Sequence, residues 1–127
     1  MSNANFQLRL DLRSGIPVYR QVIDQILGAI ATGALRPGDR LPTVRQVAVD
    51  LAINPNTVVR AYKELEIRGV LVTQQGTGTF IAPEPVKLDE VERRRRLSAI
   101  TGEFVARAGA EGFTLNDLLV SLQELKP

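Results

Sequence analysis

The shortest connection between two helical patterns limits what this chain can fold into. Apolar residues recur at helical spacing over residues 43–51 and again over 55–68, and only Ala52-Ile53-Asn54 separates the two stretches. A link this short suits two helices that cross at a steep angle rather than an antiparallel pair. That geometry leaves one face of the second helix uncovered.

Both helices of this pair begin with residues that favour a helix start. Thr43, with Gln46 three residues later, matches a capping box, in which each side chain bonds the other residue's backbone N–H. Asn54 precedes Pro55, which fits the first helical position because no N–H is needed there. We therefore predict that the two helices begin at these positions.

Two further patterns precede the helix pair. Residues 17–32 repeat apolar side chains every three or four positions, which predicts a helix that Gly33 ends. Over residues 1–15 the alternation of apolar residues predicts a short extended arm. The alternating residues are Phe6, Leu8, Leu10 and Leu12.

A glycine-bearing turn follows the helix pair. Residues 70–73 and 79–81 are short runs typical of strands, and the segment between them contains Gly76 and Gly78, so we predict a β-hairpin. Three helices followed by a hairpin have the order of a winged helix-turn-helix. The predicted fold class is therefore α+β, mainly α, with this domain and its arm over residues 1–83.

The uncovered face of the third helix follows from its spacing. With Val58 and Leu65 turned inward at about 100° per residue, Asn56, Arg60 and Lys63 point outward. Asn can pair bidentately with adenine and Arg with guanine, whereas Lys suits a phosphate. The sequence therefore predicts a helix that reads bases in the major groove, assisted by helix N-termini and the hairpin tip. The predicted DNA-binding residues are Arg45, Thr43, Asn54, Asn56, Thr57, Val59, Arg60, Lys63, Gly76, Thr77 and Gly78.

Each of these residues also has a plainer interpretation. A polar outer helix face is usually just solvated, and an ion pair with Asp50 is open to Arg45. Asn54 is a helix cap first, with a phosphate contact as an addition. The glycines at 76 and 78 fit an ordinary hairpin turn as well as a wing tip that approaches DNA. The combination of these residues around one helix favours DNA binding.

Composition excludes several classes of function. The chain contains no Cys and no His, so a disulfide framework, a zinc finger and a Ser-His-Asp site are excluded. No phosphate-binding glycine loop opens a helix, so we expect neither enzymatic activity nor a cofactor. An apolar run of about eighteen residues is missing, which predicts a soluble cytoplasmic protein without a membrane partner.

The charge balance and the outer face of the third helix bear on two rival binding functions. The net charge is +2, and residues 1–83 hold nine Lys or Arg against six Asp or Glu. A sequence-independent architectural DNA binder would normally be far more basic. A winged helix that mediates protein–protein interaction, without reading DNA sequence, would present an apolar outer face on the third helix. That second function remains as the alternative.

A second region, residues 84–127, follows Pro83 and Pro85. Helical spacing predicts one helix over residues 86–108 and another over 115–125, with Thr114 as its cap. Two helices alone cannot bury both apolar faces, so we expect a twofold homodimer through this region. Packing back onto the chain's own winged helix is the alternative. The predicted dimerisation residues are Leu97, Ile100, Phe104, Leu115, Leu118, Leu119 and Leu122.

The densest charge run in the chain is Arg93-Arg94-Arg95-Arg96. A basic run is sometimes a nucleic-acid patch. Here Asp89, Glu90 and Glu92 precede it within one predicted helix, which favours a solvated face with ion pairs.

Taken together, several motifs resemble the GntR superfamily of bacterial regulators, and within it the YtrA-like subfamily. The resemblance covers roughly residues 14–82. Its motifs are Ile16-Pro17-Val18-Tyr19-Arg20-Gln21, Leu35-Arg36-Pro37-Gly38-Asp39-Arg40-Leu41-Pro42-Thr43-Val44-Arg45, Asn54-Pro55-Asn56-Thr57-Val58-Val59-Arg60-Ala61-Tyr62-Lys63-Glu64-Leu65-Glu66 and Gly76-Thr77-Gly78-Thr79-Phe80.

The resemblance implies a homodimer on a palindromic operator that usually represses a nearby operon, often one with transporter genes. It places Arg45, Asn56, Thr57 and the 76–78 wing where family members contact DNA. The short second region leaves no room for a large effector domain, and no small-molecule effector can be named.

Three departures from the family pattern change these expectations. Gln74 and Gln75 stand where many relatives carry Arg or Lys, so we expect a weaker electrostatic grip from the wing. Ala52 stands where glycine is common, which predicts a strained turn. Pro55 replaces the usual early Arg of the recognition helix.

Overall fold

The computed structural model describes residues 6–83 and 87–126 of the chain. By its internal contacts the chain divides into two units, Met1–Pro85 and Val86–Pro127. The architecture is mainly helical with one small antiparallel sheet, which confirms the predicted fold class. The first unit contains α1 (Val18–Thr32), α2 (Val44–Leu51), α3 (Pro55–Ile67), β1 (Leu71–Gln74) and β2 (Gly78–Ile81), and the second contains α4 (Glu90–Ala110) and α5 (Leu115–Gln123).

One apolar core holds the first unit together. Each of its three helices contributes an apolar face, and α3 packs against α1, α2 and β1. Because α3 touches all of these elements with one face, its opposite face carries none of this packing. The most buried side chains are Val22, Ile23, Ile26, Leu35, Val58, Ala61 and Leu65.

The predicted caps fix the starts of α2 and α3. The Thr43 hydroxyl accepts a hydrogen bond from the backbone N–H of Gln46 at 3.1 Å, and the Gln46 side chain accepts one from the Thr43 N–H at 2.8 Å. The Asn54 side chain accepts from the backbone N–H of Asn56 at 2.8 Å, with Pro55 in the first helical position. Both predicted starts are therefore confirmed, and α3 ends one residue earlier than predicted.

The turn between α2 and α3 passes through a left-handed residue. Ala52 has φ 54° and ψ 48°, and it is the single non-glycine residue with positive φ in the described ranges. Its Cβ is crowded by the following carbonyl in this conformation, which costs an L-residue roughly 1–2 kcal/mol. The left-handed conformation of Ala52 is the one that the predicted strain requires.

Replacing Ala52 by glycine should therefore stabilise the first unit. Glycine removes the left-handed penalty, but it also adds about 0.4–1 kcal/mol of unfolded-chain freedom. We expect a net gain of roughly 0.5–1 kcal/mol in the free energy of unfolding, measured by urea denaturation. The matched control is Ala31→Gly, which lies within α1 and should lose up to about 1 kcal/mol. An equal loss in both variants would contradict the strain.

The wing is tied to the segment that precedes α2. β1 and β2 pair from Leu71 opposite Ile81 to Gln74 opposite Gly78, so β1 begins one residue later and β2 one residue earlier than predicted. Arg40 forms an antiparallel bridge with Phe80. The wing, which is the hairpin of β1 and β2, therefore pairs with a third backbone segment that the hairpin pattern did not predict.

The N-terminal arm is held by two glutamines of α1 rather than by a strand. The Gln21 side chain, buried in the core, accepts from the Asp11 N–H at 2.8 Å and donates to the Asp11 carbonyl at 2.9 Å. Gln25 makes the same two contacts with Arg9. The arm was predicted to reach residue 15, but the chain turns at Leu12, whose side chain is exposed; residues 1–5 lie outside the described residues.

The first helix of the second unit begins later than predicted. Asp89 caps it by accepting from the backbone N–H of Glu92 at 2.9 Å, so α4 starts at Glu90. The predicted start at residue 86 was wrong because Asp89 was treated only as part of the acidic flank; Val86 itself lies outside the described residues. α4 extends two residues beyond the prediction, whereas α5 ends two residues before it. The predicted Thr114 cap is confirmed, and Asp117 completes a capping box with it.

The helices of the second unit leave most of their apolar side chains exposed. Of the described residues in α4 and α5, Ala108 is the one that is buried. Ile100 is 63% exposed and Phe104 44% exposed. A single copy of this unit therefore leaves many large apolar side chains uncovered. Its exposed large side chains are Val91, Leu97, Ile100, Phe104, Val105, Phe113, Leu115, Leu119, Val120, Leu122 and Leu125.

Candidate nucleic-acid interface

The outer face of α3 carries polar side chains that the fold leaves uncovered. Asn56, Arg60 and Lys63 are exposed, and they lie opposite the buried residues of the same helix. Val59 is 45% exposed beside them, and Thr57 is partly buried. The structure therefore brings together the five α3 residues that the sequence analysis selected.

Two of these side chains have unused hydrogen-bonding capacity. Among the residues that the structure describes, neither the Asn56 amide nor the Lys63 ammonium has a side-chain hydrogen bond or an ion pair. The Asn56 amide offers a donor and an acceptor side by side, and the Lys63 ammonium offers three donors. These groups are available to a ligand without first breaking a contact within the protein.

Arg60 differs because its guanidinium lies on an aromatic ring. The Arg60 Cζ is 3.7 Å from the centroid of the Tyr19 ring, so α1 supplies a platform for a side chain of α3. A guanidinium that stacks by its face keeps its N–H donors in the plane, where they can reach a third group. A contact between Tyr19 and α3 was not predicted, because no local spacing relates residues 19 and 60.

A buried tyrosine ties the start of α2 to α3. The Tyr62 hydroxyl donates a hydrogen bond of 2.6 Å to the Pro42 carbonyl, directly before the α2 cap. Burial raises the pKa of Tyr62 above its ordinary value of 10.0, because the ionised phenolate would lose its hydration. This contact holds the helix that carries Arg45 against the helix that carries Asn56.

Replacing Tyr62 by phenylalanine should lower the free energy of unfolding by roughly 1–2 kcal/mol at pH 7, because the Pro42 carbonyl loses its partner. The folded-state pKa lies above the unfolded value of about 10. The contribution of the protonated phenol is therefore complete below pH 10 and is lost as the pH rises further. Urea denaturation of both proteins at pH 7 and pH 10.5 should show the difference shrinking; an equal difference at both values would contradict this assignment.

The cation on α2 is also exposed. Arg45 occupies the second position of the helix, and no carboxylate of the described residues lies within ion-pair distance of it. The alternative ion pair with Asp50 is therefore not formed. Thr43 and Asn54 use their side-chain oxygens to cap their own helices, so these oxygens are already engaged within the protein.

The wing tip is a tight turn next to an unpredicted cation. The Thr77 N–H donates to the Gln74 carbonyl at 3.0 Å, and Gly76 has φ 81°. Gly78 has φ 138°, and a Cβ built there would lie 2.9 Å from Nε of Arg40. The guanidinium thus occupies the space of a side chain at 78. Arg40 was not among the predicted DNA-binding residues, because its place beside the wing depends on pairing between residues 40 and 80.

The four arginines of α4 are engaged in ion pairs within their own helix. Arg93 and Arg94 lie 4.0 and 3.9 Å from Glu90. Arg95 and Arg96 donate to Glu92 at 2.7 and 2.8 Å, and these bonds lower the pKa of Glu92 to about 2. The predicted ion-paired face is confirmed.

No group of three or more metal-ligating side chains comes together over residues 6–83 and 87–126. Within the same ranges, no helix combines the length and apolar character that a membrane crossing requires.

Known proteins share both the sequence and the fold. Residues 18–81 match the family described as "Bacterial regulatory proteins, gntR family". The chain is 36% identical over 111 residues to the uncharacterized HTH-type transcriptional regulator YhcF of Bacillus subtilis (strain 168), which covers 87% of this chain and 91% of YhcF. It is 45% identical over 75 residues to the HTH-type transcriptional repressor YtrA of the same organism, covering 59% of this chain and 58% of YtrA.

Two solved structures extend the comparison. YtrA from Sulfolobus acidocaldarius, a GntR-family transcription factor, matches with 35% identity and a TM-score of 0.58, covering 78% of this chain and 97% of that one. The AraR DNA-binding domain in complex with operator ORX1 matches with 31% identity and a TM-score of 0.51, covering 61% of this chain and 92% of that one. The predicted resemblance to the GntR superfamily and its YtrA-like branch is confirmed.

Proposed function

The chain belongs to the gntR family of bacterial regulatory proteins, and on that basis we propose that it is a homodimeric repressor that binds a palindromic operator. The relatives that it matches are HTH-type transcriptional regulators, and YtrA of Bacillus subtilis is named a repressor. The AraR domain that it matches was solved on operator DNA. These likenesses support a DNA-binding regulator. The outer face of α3 and the exposed apolar residues of the second unit support the proposal of a homodimer on a palindromic operator.

The single observation that carries the proposal is the uncovered outer face of α3. Asn56 presents an unpaired amide there, and Arg60 presents guanidinium donors beside it. The major groove admits a helix and displays the acceptors and donors that these two side chains match in adenine and guanine. Val59 adds an apolar group suited to a thymine methyl. A protein-docking face would carry apolar residues in place of these polar groups.

Phosphate contacts would set the orientation of α3 on the duplex. Lys63 and Arg45 are exposed cations on the two helices that meet at the turn. The capped N-termini of α2 and α3, at Thr43 and Asn54, add the positive ends of two helix dipoles. Contacts of this kind strengthen binding to every sequence and fix register. The backbone of the 76–78 wing tip is proposed to approach the neighbouring backbone of the DNA.

The second unit is proposed to form the dimer. The seven side chains predicted for dimerisation lie on α4 and α5, six of them exposed and Leu118 partly buried. Phe104, Phe113 and Leu118 line a groove of the same unit. Two copies related by a twofold axis would cover this surface and present two α3 helices to half-sites about one helical turn, roughly 34 Å, apart. The regulated genes are proposed to lie near the operator, with transporter genes as the family precedent.

Selection of bound sequences from random double-stranded DNA tests the function directly. We expect the purified protein to enrich a palindrome with half-sites about one turn apart, and the best site to bind with nanomolar affinity at physiological salt. Enrichment of no sequence over the starting pool would overturn the proposal. Enrichment of a single, non-palindromic half-site would retain the DNA reading but remove the dimer.

A further inference from the structure

We propose that Arg40 is the DNA-binding cation of the wing, with one phosphate of the duplex backbone as its ligand. The inference rests on the proposed function, because it assumes that the wing lies against DNA. It assigns a role to a residue outside α2, α3 and the hairpin.

Packing against Gly78 places the charge on the wing. A Cβ at residue 78 would lie 2.9 Å from Nε, 3.3 Å from Nη2 and 3.4 Å from Cζ of Arg40. Contacts below 3.0 Å are too short for a carbon atom, so a side chain at 78 would require the Arg40 guanidinium to shift from the position that it occupies here. The lack of a side chain at 78 is what allows the cation to lie on the backbone of β2.

The backbone around Arg40 is hydrogen-bonded to the wing on both sides. Arg40 bridges Phe80, the Leu41 N–H donates to the Thr79 carbonyl at 2.8 Å, and the Ile81 N–H donates to the Asp39 carbonyl at 2.8 Å. These contacts flank Arg40 on both sides. The backbone of Arg40 is therefore held beside the wing by the sheet, and its exposed side chain starts from a fixed position.

Charge identifies the ligand. The hairpin over residues 70–81 contains no Lys and no Arg, and its tip carries Gln74 and Gln75 instead. Arg40 is exposed, and no carboxylate of the described residues lies within 4.0 Å of its guanidinium. The nearby Asp39 carboxylate accepts from the Arg36 N–H at 2.8 Å. An uncompensated guanidinium on an uncharged wing suits a phosphate, which it can bind in a bidentate manner.

Salt-dependent binding to the selected operator tests this assignment. Each lost phosphate contact makes the negative slope of log affinity against log salt less steep by about 0.9, which corresponds to roughly eightfold weaker binding at 0.1 M salt when the affinities converge at 1 M. We expect Arg40→Gln to make the slope less steep by that amount for each protomer that binds, while the selected sequence stays the same. An unchanged slope in a folded Arg40→Gln protein overturns the inference.

Two further variants separate charge from packing. Arg40→Lys keeps the charge and should keep the slope; a Lys variant that matches Gln would indicate a packing role and overturn the inference. Arg68→Gln removes the same charge from the far end of α3, about 18 Å along the helix from Asn56, and should leave the slope unchanged. If the wild-type protein selects no DNA sequence, the proposed function fails. If the wild-type protein selects an operator but Arg40→Gln leaves the salt dependence unchanged, only the phosphate contact of Arg40 is ruled out.

Discussion

Replacing Ile100 and Phe104 together by glutamate should turn the proposed dimer into a monomer and weaken operator binding by at least about 100-fold. Ile100 is 63% exposed and Phe104 44% exposed on one stripe of α4, so circular dichroism of the variant should verify that the single chain still folds. In a dimer interface the two new carboxylates would lose their hydration, at a cost of several kcal/mol for each ion. A monomer would also bind only one half-site. Sedimentation and operator titration measure the two effects.

The same helix offers a matched control for this variant. Ala99 and Ala106 lie on the opposite face of α4 and are exposed. Replacing both by glutamate adds the same charge to the same helix, and we expect a dimer with nearly unchanged operator affinity. If the two double variants have the same oligomeric state and the same operator affinity, at equal helix content by circular dichroism, the face that carries Ile100 and Phe104 is not part of the proposed interface.

The second large effect is expected on the outer face of α3. Asn56→Ala and Arg60→Ala should each weaken binding by about 1–3 kcal/mol and relax the preference at one base pair of each half-site. Lys63→Ala should weaken all sequences alike, because a phosphate contact carries no base information. Titration against the operator and its single-base variants separates the two patterns. If Arg60→Ala leaves both affinity and preference unchanged, its assignment as a base-reading residue fails.

The Tyr19 platform gives the Arg60 assignment a second test. The ring lies 3.7 Å from the guanidinium, and a stack at an exposed site contributes roughly 0.5–1 kcal/mol. Tyr19→Leu should therefore reproduce part of the Arg60→Ala loss at the same base pair, whereas Tyr19→Phe keeps the ring and should resemble the wild type. A Tyr19→Leu protein with the affinity and preference of the wild type would show that the stack does not position Arg60.

Local chemistry explains which features could be predicted from the sequence. The starts of α2 and α3 depend on Thr43, Gln46, Asn54 and Pro55, all within a few residues of the backbone groups that they satisfy. The outward direction of the α3 polar residues follows from helical periodicity. In each case the information lies within one or two helical turns.

Contacts between distant segments could not be predicted in this way. Tyr19 meets Arg60 across forty-one positions of sequence, and Arg40 meets Gly78 through a bridge between the wing and the segment before α2. The start of α4 was misplaced for a different reason. Asp89 satisfied two patterns at once, as an acidic neighbour of the arginine run and as a helix cap, and the structure shows the second role.

The central claim, that the outer face of α3 lies in the major groove, can be tested at every base pair. Every base pair contains one purine, whose N7 is an acceptor in the major groove. Replacing the purines of the selected operator by their 7-deaza analogues removes that acceptor and leaves Watson–Crick pairing intact. We expect binding to weaken at two clusters about one helical turn apart, and Asn56→Ala and Arg60→Ala to lose sensitivity within them. Full affinity for an operator with every half-site purine replaced would contradict the claim.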